Sequence, residues 1–146
     1  MKVITDSNVF FRAILGRKAG TASKSVISLI REGRITSYTC DALMGEIGRI
    51  VKSDPKLRKI DPVYFRQFMD DVDGWLSYVP MKDLEHDQKM LNRIGNDWYL
   101  IAISRSISAN YIITYDKELI SIKKELKSQD EVEVLTSEEF MEQYKR

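Results

Sequence analysis

The sequence predicts an α/β protein with three layers, α/β/α, around a short, mostly parallel central sheet. Short apolar runs at 3–5 (VIT), 35–38 (ITSY), 111–114 (YIIT) and 132–135 (VEVL) alternate with stretches whose apolar residues recur every three or four positions. Strands separated by helices pair in parallel and are covered on both faces. Acids follow two of these runs, Asp6 directly and Asp116 one residue on, where an open parallel sheet binds its ligands.

The elements follow in order. Val3, Ile4 and Thr5 form the first strand, and Asp6 ends it. Val9, Phe10, Ala13, Ile14 and Leu15 are spaced as one helix face, closed by Gly16. Arg17–Ser23 reads as a loop, with Ser23 as the cap of a helix carrying Val26, Ile27, Leu29 and Ile30 and ending at Gly33. Ile35–Tyr38 is a second strand. Asp41–Val51 returns to helical spacing, with Leu43, Met44, Ile47, Ile50 and Val51 in one stripe and Glu46 at its margin. Pro55 interrupts Ser53–Lys59, and Asp61–Pro62 restarts a helix as cap and first-turn proline. Phe65, Phe68, Met69, Val72, Trp75 and Leu76 form its expected core face. Pro80–Asn92 reads as polar and irregular. Gly95, Asn96 and Asp97 lead into Trp98–Ser108, apolar on nearly all sides and therefore buried. Tyr111–Thr114 is a strand, followed by Tyr115, Asp116 and a helix with Leu119 and Ile122. Val132–Leu135 is the last strand, and Thr136 with Glu139 forms a capping box for a helix carrying Phe140, Met141 and Tyr144.

Composition narrows the chemistry. The 146 residues suit one domain, 1–146, with one core. A net charge of +1 gives no overall pull toward nucleic acid or membrane. The single cysteine, Cys40, excludes an internal disulfide and a cysteine zinc cluster, and the single histidine, His86, excludes a multi-histidine metal site. Any metal must sit on oxygen ligands, which points to magnesium, calcium or manganese. No long apolar run or signal-peptide pattern occurs, so the expected location is the cytoplasm and no membrane is expected as a partner.

Four acids remain to be explained. Asp6 and Asp116 follow strands, Asp97 opens a buried helix and Glu46 lies beside an apolar helix face. Taken alone, Asp6 reads as a helix cap. All four at one end of a parallel sheet would repel one another unless protonated or offset by a divalent cation. A cation so held activates water and stabilises charge at a phosphoryl centre, which makes phosphodiester hydrolysis the natural reaction class.

These residues resemble the PIN domain: Asp6 with Asn8 in TDSNV, Glu46 in the helix after the second strand, Asp97 in NDWYLIA, and Thr114–Asp116 in ITYDKEL. That family includes the ribonuclease toxins of toxin–antitoxin pairs. The resemblance implies that Asp6, Glu46, Asp97 and Asp116 ligate Mg2+ or Mn2+ and carry the catalysis. The attack is expected from water on a metal held by Asp6, Asp97 and Asp116, with Glu46 completing the cluster. Asn8 and Thr114 would hold the carboxylates or a water. Glu118 matches a further acid of some members or is a helix-start glutamate, the latter being the preferred reading. Asn96 stands where some relatives have a second acid, which leaves one metal or two. The resemblance further implies an RNA substrate, an antitoxin that blocks the acidic pocket, and a homodimer.

Basic residues near these acids are candidates for the RNA backbone: Arg12, Arg17, Lys18, Arg49 and Lys52. Tyr115 is a candidate for touching substrate or for the core. His86 is expected to be exposed without a role, and Asp70, Asp71 and Asp73 to be solvated. Two rival readings are a non-catalytic PIN-like module that binds RNA or protein, and a receiver-type phosphoryl-transfer domain. The second would want a further acid beside Asp6, and none is present.

Overall fold

A computed structural model describes residues 1–16 and 21–145, so Arg17 and Lys18 lie outside the described residues. Five strands form one parallel sheet: β1 (Lys2–Thr5), β2 (Thr36–Thr39), β3 (Ser77–Tyr78), β4 (Tyr111–Ile113) and β5 (Glu133–Leu135). Their order is β3-β2-β1-β4-β5. The chain works outward from β1 in one direction and then returns to lay β4 on its other side. The switch point therefore lies between β1 and β4, with Val3 opposite Tyr111 and Thr5 opposite Ile113.

Alternation along the strands divides the core. Ile4, Ile112 and Val134 face one side; Val3, Ile113 and Leu135 face the other. On the first side lie α5 (Gln88–Ile94), α6 (Trp98–Ile107), α7 (Lys117–Ser121) and α8 (Lys123–Asp130), burying Met90, Ile101, Leu119 and Leu126. On the second lie α1 (Ser7–Ile14), α2 (Thr21–Arg31), α4 (Pro62–Trp75) and α9 (Ser137–Tyr144), burying Phe10, Val26, Val72 and Phe140. The helix α3 (Asp41–Ser53) contributes to both, with Leu43 on one side and Ile47 on the other. This makes three layers, α/β/α, with a sheet that is parallel throughout.

Local chemistry sets the helix ends. The Asp61 carboxylate accepts from the N–H of Val63 at 2.8 Å, with Pro62 in the first turn of α4. Thr136 and Glu139 make the capping box of α9, Glu139 N–H donating to Thr136 Oγ1 at 3.2 Å and Thr136 N–H to Glu139 Oε1 at 3.1 Å.

Three sequence readings are corrected. Ser23 does not cap α2, which begins at Thr21; it lies inside the helix, fully buried where α2 meets α9. The segment Pro80–Asn92 is not wholly irregular, because Asp87 accepts from the N–H of Met90 at 3.1 Å and caps α5. In α4 only Val72 is buried, and Leu76 just beyond it; Phe65, Phe68, Met69 and Trp75 are half-buried against the core, the outermost layer leaving one side of each open. Asp70, Asp71 and Asp73 are exposed on the opposite side. The ring of His86 lies 4.7 Å from that of Trp98.

Candidate metal centre

The site begins with the β1 end. Asp6 is 3% exposed and is also the N-cap of α1, so its carboxylate serves the helix while facing the switch point. One oxygen accepts from the N–H of Ser7 at 2.7 Å and the Ser7 hydroxyl at 3.3 Å. The other accepts from the Thr114 hydroxyl at 2.6 Å and the Asn8 amide at 3.4 Å. Burial still pushes the Asp6 carboxyl above its ordinary value; the bonds from Thr114 and Ser7 oppose this, and the Asp116 charge adds to it.

The β4 end supplies the facing groups. The Thr114 hydroxyl accepts from the N–H of Asp116 at 3.0 Å while donating to Asp6, so one side chain sets the distance between two acids. Asn8 Oδ1 accepts from the N–H of Tyr115 at 3.3 Å, a second tie between α1 and this segment. Asp116 caps α7, accepting from the N–H of Glu118 at 2.8 Å. Glu118, exposed in the first turn of α7, is both a helix-start glutamate and part of the cluster.

Asp97 arrives on the turn before α6, where Gly95 has φ of 59° and ψ of −132°, a backbone open only to glycine. Carboxylate oxygens of Asp97, Asp116 and Glu118 all lie within 4.8 Å of one another. Burial raises the Asp97 carboxyl, as does the Asp116 carboxyl beside it, and Asp116 is lowered in turn, the two titrating as a pair. Asp6 and Glu46 stand outside that triad, yet both add to the rise of Asp97 by repulsion. Glu46 is itself raised, first by burial and then by Asp6, with Arg49 pulling the other way.

None of these five acids makes an ion pair among the described residues, where the ion pairs join other acids to Arg34, Arg93, Arg105 and Lys127. An all-oxygen donor set, crowded enough to hold protons and lacking a paired cation, fits a hard divalent ion.

Sequence reasoning did not find the surroundings of Tyr115. Its hydroxyl donates to Glu138 at 2.7 Å and meets Ser23 at 3.3 Å, and the Arg12 guanidinium lies 3.6 Å over its ring centroid. Glu138 is 23 residues away along the chain, so no local pattern announces it.

The chain is thus an α/β protein with a fully parallel sheet and a carboxylate cluster at its switch point. The family model described as the PIN domain matches residues 2–118, and the chain belongs to that family, whose members are generally nucleases using divalent metals. Neither the curated proteins nor the solved structures contain a match to this chain. Among the described residues, no helix is long and apolar enough to cross a membrane.

Proposed function

We propose that the chain, as one domain over 1–146, is a divalent-metal-dependent endoribonuclease that hydrolyses RNA phosphodiester bonds, and the toxin of a toxin–antitoxin pair. The observation that carries this reading is the meeting of unpaired carboxylates at the switch point. Asp6, Glu46, Asp97 and Asp116 would hold Mg2+ or Mn2+, with Glu118 close enough to join. When bound, such an ion supplies Lewis-acid stabilisation of phosphoryl charge and a more acidic water.

The protein's own groups do the rest. Thr114 and Asn8 hold Asp6 by one of its oxygens. The crowding of Asp97 against Asp116, which raises the Asp97 carboxyl, is relieved as positive charge enters. Arg12 over Tyr115 and Arg49 beside Glu46 stand ready for the RNA backbone, with Lys52 a turn further along α3. Arg17 and Lys18 belong to the same basic set. An antitoxin covering the acids, a homodimer and a cytoplasmic location complete the reading.

The deciding experiment follows cleavage of a labelled single-stranded RNA by purified protein with Mn2+, with Mg2+ and with chelator. Cleavage is expected only with metal, and Asp6→Asn is expected to fold and lose it. Metal-dependent cleavage retained by Asp6→Asn would overturn the assignment. Binding of RNA or protein without cleavage would instead favour the non-catalytic module.

A further inference from the structure

Tyr115 sits between the acidic cluster and a part of the chain beyond the family match. Its neighbour Asp116 belongs to the cluster, and its N–H is held by Asn8 of α1. Its hydroxyl donates to Glu138 on the first turn of α9, while residues 2–118 alone match the PIN domain. Glu138 is fixed in turn. The capping box sets the start of α9, and Phe140, 1% exposed, packs edge-on against Tyr111 of β4 at 5.4 Å. Ser23, fully buried, bonds Ser137 at 3.0 Å and closes the α2 side.

The immobilised ring carries a cation. Arg12 is exposed, with its guanidinium carbon 3.6 Å over the Tyr115 ring centroid, and makes no ion pair among the described residues. The nearby carboxylate of Glu138 is engaged by the tyrosine hydroxyl instead. A guanidinium held over an aromatic face by cation–π attraction still has N–H donors to offer, and its fork matches a phosphate with two parallel bonds. Holding the group over the ring in advance also reduces the side-chain entropy lost when the anion arrives.

We propose that Tyr115 and Glu138 are positioning residues: α9 locks the tyrosine ring, the ring orients Arg12, and Arg12 takes a backbone phosphate of single-stranded RNA beside the bond to be cut. This rests on the ribonuclease reading and extends the substrate-holding surface to the C-terminal helix.

The test measures affinity for a short fluorescent single-stranded RNA in Ca2+, which slows cleavage, across a salt series, together with KM and kcat in Mn2+. Arg12→Ala is expected to weaken binding roughly tenfold, the loss of one charged hydrogen-bonding contact. Its log–log salt slope should fall by about 0.7, one phosphate on a single strand. Both effects should appear in KM and leave kcat nearly unchanged. Glu138→Ala should weaken binding severalfold without altering the slope, since the cation remains but the ring beneath it is loose. Glu138→Gln, whose amide oxygen still accepts from Tyr115, should restore the affinity. A merely structural Glu138 would lower Tm and leave affinity unmoved, which would overturn the positioning role. Unchanged affinity and slope in Arg12→Ala would overturn the phosphate contact. Stabilisation of the wild-type protein by Mn2+ reports on the acids alone. If it appears while Arg12→Ala binds as wild type does, only this inference falls; if the wild-type chain neither gains stability from Mn2+ nor cleaves RNA, the enzyme reading falls with it.

Discussion

The hydroxyl of Thr114 donates to the Asp6 carboxylate at 2.6 Å, joining the ends of two adjacent parallel strands from residues 108 apart in sequence. Both residues are buried, and the same hydroxyl accepts from the N–H of Asp116. A hydroxyl that is donor to one acid and bound by the next fixes the spacing of the cluster before any cation arrives. Thr114→Val keeps the shape and removes both bonds. It should cost about 1–3 kcal/mol, the range for leaving a buried polar group short of its partner, and should raise the Asp6 carboxyl further. Chemical denaturation measures the first effect and a Mn2+ titration followed by melting the second. Thr114→Ser should behave almost as the wild type; equal losses in both variants would mean that the methyl group matters and the hydroxyl does not.

Stability should depend on pH with an unusual sign. The Asp97 carboxyl is pushed up to about 9, and those of Asp6 and Glu46 are raised as well, burial being the first cause in each. These groups bind protons more tightly folded than unfolded, so their contribution is fully present below the ordinary carboxylate range. It is lost as pH rises through the folded values. Asp116, lowered, acts oppositely and only at the acid end. In chelator, Tm should therefore fall between pH 6 and pH 9, more than it does for Asp97→Asn. Excess Mg2+ should flatten the wild-type profile by competing with the protons. A Tm that rises over that window in chelator would contradict the clustering of these acids.

The turn that delivers Asp97 is a separate point of strain. Gly95 has a left-handed φ of 59° with ψ of −132°, and a Cβ built there would meet nothing within 4 Å. Gly95→Ala therefore tests backbone conformation without a clash. It should cost about 1–3 kcal/mol and weaken stabilisation by Mn2+, because the strain is relieved by moving the turn that ends at Asp97. A loss of stability with unaltered Mn2+ response would show that Asp97 is held from α6 instead.

What could be read from the sequence was what neighbours along the chain determine. The Y-I-I-T strand, the Asp61–Pro62 helix start and the Thr136/Glu139 box each involve residues within a few positions. The acids at strand ends were visible for the same reason, since an apolar run announces where its carboxyl end falls. The two-residue β3 has no pattern to detect; it exists because Thr39 and Tyr78 pair across the sheet. The helix α5 buries only Met90 and Ile94, too few apolar positions to stand out among Gln88, Lys89, Asn92 and Arg93. Glu138 and Ser23 gained their roles from the docking of α2 on α9, a relation between distant segments.

That docking gives the last prediction. Ser23 and Ser137 are both fully buried, their hydroxyls 3.0 Å apart, with Tyr115 3.3 Å from Ser23. Serine suits a helix start, but here its hydroxyl is needed inside, where water cannot replace a lost partner. Ser23→Ala should cost about 1 kcal/mol, and Ser137→Ala a similar amount. The double variant removes both polar groups, and Tyr115 retains Glu138 as acceptor. It should therefore be more stable than the sum of the single losses requires, with a coupling of about 0.5–1 kcal/mol in a double-mutant cycle. Strict additivity would mean that the two hydroxyls are satisfied independently, each by a partner other than the other.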